Sequence, residues 1–283
     1  MQAMTKQKVY EKFARSAPLL LCPFCQDSLH LDERSLLCPS GHRFDLSKWG
    51  SVNLIPHKVN KQAHYDKDNF IHRNHILEAG YYQAILQAVA AHLPEQGIIL
   101  DVACGEGYYA RNLAQAGRTV YAFDLSKDSI QLAAKLDKAS PVSWLVADLA
   151  DLPFEDHSVD VILDIYSPAN YSEFKRVLKE NGLLIKVVPT SQHLHEIRQA
   201  LGATLEKDSY DNQSLIALFK DHMNLVEEQV VEVSYPLNPL DQEALFKMTP
   251  LLFNVPPVQL EGWHLDQITI AGHLLIGKIK KES

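Results

Sequence analysis

The sequence predicts an α/β fold: a doubly wound, mostly parallel sheet with a small metal-stapled module ahead of it. Three observations carry that expectation. From about residue 81 onward, apolar strand-like runs alternate with helical spacing, the order that builds βα units. The run Ile98-Ile99-Leu100-Asp101-Val102-Ala103-Cys104-Gly105-Glu106-Gly107-Tyr108-Tyr109 joins a buried strand to a small-residue turn and a helix start. Upstream, Cys22-Pro23-Phe24-Cys25 and Cys38-Pro39-Ser40-Gly41-His42 have the spacing of a metal site.

Composition sets the outer bounds. A chain of 283 residues has room for about two domains. Apolar residues make up 46% and charged residues 22%, a globular balance. No apolar run approaches the roughly 20 residues that span a bilayer, so no membrane partner is expected. The start is basic (Lys6, Lys8, Lys12, Arg15), yet Ala17 to Leu21 is too short for a signal segment. Leu19 to Cys22 mimics a lipoprotein cleavage box, but Cys22 is better used as a metal ligand. Only four cysteines, three of them in the metal pattern, point to a reducing cytoplasm. The net charge of −8 is unevenly spread: residues 1–73 hold 11 Lys/Arg against 7 Asp/Glu, the remainder 16 against 28. A mildly basic module on an acidic domain is compatible with one face meeting RNA.

Within residues 1–56, Cys22, Cys25, Cys38 and His42 form C-x2-C-x12-C-x3-H. Three thiolates and an imidazole, with no open position, favour one structural zinc. Short strands at Leu29–Leu31 and Ser35–Leu37 around a turn at Asp32-Glu33-Arg34 would make a zinc ribbon. Its core is too small to fold alone, so the metal would supply on the order of 10 kcal/mol. A Cys2His2 finger fails, because only one histidine stands at ligand spacing and no recognition helix lies between the pairs. Residues 57–80 read as a linker or lid, since His57 to Asn69 is polar and without periodicity. Arg73 there is either a phosphate contact or a solvated charge. From Tyr81 to Leu93 the spacing is helical, and on the residues alone Tyr82 belongs to the core. Residues 81–283 read as one further domain, the α/β one.

Its central loop has the spacing Asp-x-x-x-Gly-x-Gly, distinct from the Gly-x-Gly-x-x-Gly of dinucleotide sites and from a P-loop. A carboxylate at Asp101 suits loop amides or a cationic or hydroxyl-bearing ligand, not a pyrophosphate. Gly105 and Gly107 permit close backbone approach. This loop resembles motif I of S-adenosylmethionine (SAM)-dependent methyltransferases with a Rossmann-like core. Ala103 replaces that motif's usual first glycine and keeps the turn if its φ stays negative. The same residues could also form a strand, turn and helix that hold no ligand. Asp124 ends the strand Thr119–Phe123, 19 residues past Gly105, where parallel-sheet sites bind ribose hydroxyls. Ser126 caps the helix 128–137. Asp148 follows the strand Val142–Val146, and in methyltransferases of this class an acidic residue there reaches the adenine amino group. The strand Val159–Ile165 ends at Asp164-Ile165-Tyr166-Ser167-Pro168-Ala169-Asn170, where the methyl acceptor sits in this fold. A strand at 183–188, a helix after Pro189, and a tail of helices near 212–222 and 241–248 with strands near 225–234 and 267–278 complete a seven-stranded methyltransferase sheet.

The chain as a whole resembles bacterial 23S rRNA (guanine-N1-)-methyltransferases, which join a Cys3His ribbon to a SAM-binding core. The resemblance covers nearly everything after Leu20. It rests on the ribbon spacing, Val52-Asn53-Leu54-Ile55-Pro56, Ala79-Gly80-Tyr81-Tyr82, Asp101 to Tyr109, Leu152-Pro153-Phe154, Ile165-Tyr166-Ser167-Pro168, His193-Leu194 and Met248-Thr249-Pro250. It implies zinc on Cys22, Cys25, Cys38 and His42, and SAM contacts at Tyr82, Gly105, Glu106 and His193. The implied reaction methylates N1 of a guanine in a hairpin loop of 23S rRNA domain II, near the peptide exit tunnel and its macrolide site. A homodimer gripping one hairpin is a further implication. Asp164, then Tyr166, are the candidates for handling the N1 proton. Two other readings stand beside this one: a SAM-dependent methyltransferase acting on another RNA, a protein or a small molecule, and a non-catalytic SAM- or RNA-binding module.

Overall fold

The computed structural model describes residues 6–56, 66–138, 142–202 and 211–280. Helix α1 (Lys6–Ser16) leads into a small antiparallel sheet of β1 (His30–Asp32), β2 (Ser35–Leu37) and β3 (Arg43–Asp45). This is the expected ribbon with one strand more. The next strand, β4 (Ser51–Asn53), leaves the ribbon and pairs in parallel with β7 (Ser143–Val146), setting Val52 against Leu145. Leu54 extends the ladder by donating its N–H to the Val146 carbonyl at 2.9 Å.

Among the described residues the main sheet therefore has eight strands, not seven. β5 (Gly97–Val102) lies inside it, with β6 (Arg118–Asp124), β7 and β4 on one side and β8 (Val159–Ile165) on the other. Beyond β8 come β9 (Leu178–Pro189), β11 (Gln267–Ile279) and the outer strand β10 (Met223–Pro236). The two β11 pairings are antiparallel and the other pairings parallel. The chain reverses direction across β5 and β8, so a crevice opens at their carboxyl ends. The loops after β5, β6, β7 and β8 carry Asp101 to Gly107, Asp124, Asp148 and Asp164 to Tyr166 there.

Strand alternation sends side chains to two separate cores. Ile99, Val161 and Leu163 face α2 (Lys67–Glu78), α3 (Gln83–Ala90), α4 (Tyr108–Leu113) and α5 (Lys127–Leu136). Leu100, Ile162 and Leu184 face α6 (Tyr171–Val177), α8 (Gln213–His222) and the ribbon. Phe13 of α1, Leu20, Leu29, Leu36 and Phe44 share that second cluster with Tyr121, Leu145 and Phe154. The ribbon is thus packed into the core of the α/β domain. Tyr121 donates its hydroxyl to the Ser16 carbonyl at 2.7 Å, and Leu21 N–H reaches the Pro153 carbonyl at 3.0 Å.

The predicted linker needs correcting. Residues 57–65 lie outside the described residues, but 67–78 is the regular helix α2, capped by Asp66 through the Asn69 N–H. Its inner face carries Asn69, Phe70, Ile76 and Leu77, with Arg73 between them. Two polar residues on the packed side erase the apolar period that would have announced a helix. Two helices complete the cover above the crevice: α7 (His195–Leu201) and α9 (Pro239–Met248). Asn69 donates to the Lys247 and Met248 carbonyls, and His75 and Tyr81 both bond Asp241, tying α2 to α9.

Candidate functional site

In the ribbon, the Sγ atoms of Cys22, Cys25 and Cys38 and a ring nitrogen of His42 lie within 4.8 Å of one another. Cys25 and Cys38 sulfurs are 3.6 Å apart, and His42 Nδ1 stands 3.4 and 3.3 Å from Cys22 and Cys38. Bonds of about 2.3 Å to sulfur and 2.0 Å to nitrogen in a tetrahedron require ligand separations of that size. The donor set fits zinc, and the predicted ligands are all four brought together.

At the crevice, the loop after β5 is held from below. Asp101, 2% exposed, accepts the Ala110 N–H of α4 at 3.1 Å, and burial pushes its carboxyl up to about 8. The amide it meets belongs to helix α4, whereas the sequence predicts the loop amides or a ligand. Asp124 accepts Gly105 N–H at 3.0 Å and Ser126 N–H at 2.8 Å, bracing two loops at once. Burial raises its pKa too. Gly107 has φ +76°, and a Cβ there would meet the Trp144 ring at 2.3 Å. Its lack of side chain serves packing under the loop. Ala103 has φ +48°, against the negative value expected for it. An alanine thus holds a left-handed conformation that costs roughly 1–2 kcal/mol. Asp148 turns back onto its own loop, accepting Ala150 N–H at 2.9 Å.

Above the loop sits a group of buried polar atoms without hydrogen bonds. Both carboxylate oxygens of Glu106, the Tyr109 hydroxyl and the Arg73 Nε have none. Glu106 is fully buried, and burial raises its pKa. The Arg73 side chain is 30% exposed, but its Nε is turned inward and lies 2.9 Å from Glu106 Oε2. Beside them Tyr82, Tyr166 and His193 form an aromatic wall. Tyr166 stacks on His193 at 5.1 Å and 19°, and Tyr82 meets both edge-on. Tyr82 is 5% exposed with its hydroxyl pushed up to about 12 by burial, so it is both core and wall. His193 Nδ1 accepts the Ala271 N–H at 3.2 Å, so its Nε2 carries the proton. Burial, with Arg198 nearby, lowers its pKa to about 3 and keeps the ring neutral. Ala103, Tyr166 and Leu194 are three non-glycine residues with positive φ in the loops of this crevice. Strain of this kind collects where a site over-determines its backbone.

The expected general base, Asp164, has close partners on both oxygens. Asp164 is fully buried, with Lys186 Nζ on Oδ2 at 2.6 Å and the Ser167 hydroxyl on Oδ1 at 2.5 Å. Lys186 also donates to the Ser167 carbonyl at 2.9 Å. Asp164 is thereby tied to an ammonium and a hydroxyl of the 164–170 loop and its neighbouring strand, while burial raises its pKa. Tyr166 donates to the Ala271 carbonyl at 3.2 Å, and burial holds its hydroxyl far above the usual phenol range. Lys186 escaped the sequence reading, although a lysine inside Leu183-Leu184-Ile185-Lys186-Val187-Val188 was its signal. A charge in a buried parallel strand needs a buried partner.

A doubly wound sheet with this loop and an ionic, aromatic crevice defines the class of SAM-dependent methyltransferases. The methyltransferase-domain family matches residues 100–186, and the family described as "RlmA, N-terminal" matches residues 20–63. The chain is 37% identical over 276 residues to "Putative 23S rRNA (guanine-N(1)-)-methyltransferase YxjB" of Bacillus subtilis (strain 168), covering 90% of this chain and 95% of that one. The "23S rRNA (guanine(748)-N(1))-methyltransferase" of Streptomyces fradiae is 26% identical over 89% of this chain and 88% of its own. A solved structure, "Complex between the Haloferax volcanii Trm112 methyltransferase activator and the putative methyltransferase", shares the fold. It has a TM-score of 0.53 and 18% identity over 78% of this chain and 99% of that one. The chain belongs to the 23S rRNA (guanine-N1-)-methyltransferase family. It is an enzyme that uses SAM and a structural zinc. No helix among the described residues is long and apolar enough to cross a membrane.

Proposed function

We propose that the enzyme methylates N1 of a guanine in a hairpin loop of 23S rRNA domain II. The carrying observation is that relatives named for guanine-N1 methylation align across ribbon and core together. SAM supplies an electrophilic methyl on a sulfonium when bound. Tyr82, Gly105, Glu106, Asp124, Asp148 and His193 would hold it, while Asp101 and Gly107 would shape the loop beneath. Buried carboxylates and aromatic faces suit a cationic centre.

The acceptor loop 164–170 is held rigid by Asp164, Lys186 and Ser167, with Tyr166 at its strained turn. These residues orient the guanine so that N1, methyl carbon and sulfur align, and the N1 proton departs to solvent. Alignment of this kind is worth several kcal/mol without a dedicated base. On the ribbon, Phe24 is 56% exposed and stacks at 6.0 Å and 14° on Phe44. Lys48 lies over the exposed Trp49 ring. Exposed rings beside cations suit unstacked loop bases. In a homodimer gripping one hairpin, the exposed Val226 and Val230 of the outer strand would be available for contact.

The test is incubation with methyl-labelled SAM and unmodified 23S rRNA, then digestion to nucleosides. Label in 1-methylguanosine is expected. Label in another nucleoside, or none from RNA with label entering protein or a small molecule, overturns the proposal.

A further inference from the structure

We propose that Arg73 of α2 anchors the α-carboxylate of SAM while Glu106 receives its α-ammonium, the two side chains forming a zwitterion clamp across the β5 loop. This goes beyond Glu106 as a cofactor contact and rests on SAM use alone, not on the identity of the methyl acceptor.

The first observation is an unfinished ion pair. Arg73 Nε and Glu106 Oε2 are 2.9 Å apart, yet neither Nε nor either carboxylate oxygen makes a hydrogen bond. Glu106 is fully buried. A buried carboxylate recovers its desolvation cost only when its oxygens are satisfied, and Arg73, 30% exposed, reaches Glu106 with its buried Nε alone. An amino-acid zwitterion brings one carboxylate and one ammonium, the complement of this pair in charge and number. A guanidinium fork can take the carboxylate by two bonds.

The second observation is placement. A Cβ added at Gly105 would lie 3.4 Å from Arg73 Nε, so the guanidinium hangs directly over the glycine of the loop. Arg111 grips the same loop by donating to the Glu106 carbonyl and to Glu78 and Asn74 of α2. The third is rigidity. Asn69 lies one helical turn before Arg73 and His75 two residues after it, and both are bonded to α9. Arg73 is therefore delivered by a fixed element, with its Nε facing the loop.

The test is calorimetric titration without RNA. The ligands are S-adenosylhomocysteine, decarboxylated SAM (amine kept, carboxylate lost) and 5′-methylthioadenosine (both lost). Arg73→Gln should weaken S-adenosylhomocysteine by roughly 10- to 100-fold, the weight of a hydrogen bond to a charged group. It should leave methylthioadenosine within about twofold, and Arg73→Lys should recover part of the loss. Glu106→Gln should weaken decarboxylated SAM, which Arg73→Gln should not. The wild type must itself prefer SAM to decarboxylated SAM by a similar factor, a comparison that needs no variant to fold. Equal loss for all three ligands in Arg73→Gln, or no loss for S-adenosylhomocysteine, overturns the clamp. Failure of the wild type to bind any of them would instead overturn the cofactor reading.

Discussion

Replacing Gly107 by alanine would drive a methyl group into the ring of Trp144. The added Cβ would stand 2.3 and 2.5 Å from two ring carbons and 3.1 Å from Ala133 Cβ. Trp144 cannot step aside: it is fully buried, and its Nε1 donates to Asp137 at 2.8 Å. Two costs add. An alanine at φ +76° pays about 1–2 kcal/mol for the left-handed conformation. Overpacking a buried ring costs about 1–3 kcal/mol more. Gly107→Ala should therefore destabilise the protein by about 2–5 kcal/mol. Two neighbours act as internal controls. Gly105 has φ +58°, but its Cβ would meet the Arg73 side chain, nearest at Nε, at an ordinary 3.4 Å, so Gly105→Ala should cost about 1–2 kcal/mol. Ala103 already carries the strain at φ +48°, so Ala103→Gly should gain about 0.5–1 kcal/mol after glycine's entropy is counted. Urea unfolding followed by tryptophan fluorescence and far-UV circular dichroism gives all three values. Equal costs at 105 and 107, or a loss at Ala103→Gly, would refute the packing argument.

Other consequences follow from the same geometry. Chelation of zinc, or Cys38→Ser, should unfold the ribbon and also loosen the catalytic core that shares its cluster; metal analysis should read one zinc per chain before treatment. Asp101 is raised to about 8 when folded against about 3.9 unfolded, so the folded state holds the extra proton and stability falls as pH rises from 4 to 8. His193, lowered to about 3, acts oppositely, losing stability as pH falls below 6.5. Between pH 6.5 and 8 the Asp101 slope stands clear of that of His193 and amounts to about 2 kcal/mol at most; Asp101→Asn should flatten it in thermal melts. Asp164→Leu should cost about 3–5 kcal/mol by stranding Lys186, and Asp164→Leu with Lys186→Met should recover much of that. If Asp164 is a strut, the double variant's pH–rate profile keeps the wild-type shape; loss of the acidic limb would restore the general-base role.

The order of elements was legible because each βα unit has its own apolar run and stop, and the ligand spacing of Cys22, Cys25, Cys38 and His42 was sufficient for the zinc site. Three features were not legible, each for a physical reason. α2 hid behind Asn69 and Arg73, polar residues on its packed face whose partners, α9 and the β5 loop, are remote in sequence. β4 is only three residues long and has no internal period; its place beside β7 comes from tertiary pairing. Asp164 looked like the best-placed base because a strand-end carboxylate announces itself, while its Lys186 partner arrives from the neighbouring strand β9. Spacing shows which residues end a strand, but not what will neutralise them.

The most direct test of the central claim is primer extension on unmodified 23S rRNA after incubation with the purified enzyme and SAM. A methyl on N1 blocks the pairing edge of guanine and halts reverse transcriptase. The account predicts one new SAM-dependent stop, at a guanine in a domain II hairpin loop. Stops elsewhere, or none while calorimetry shows SAM bound, would contradict it.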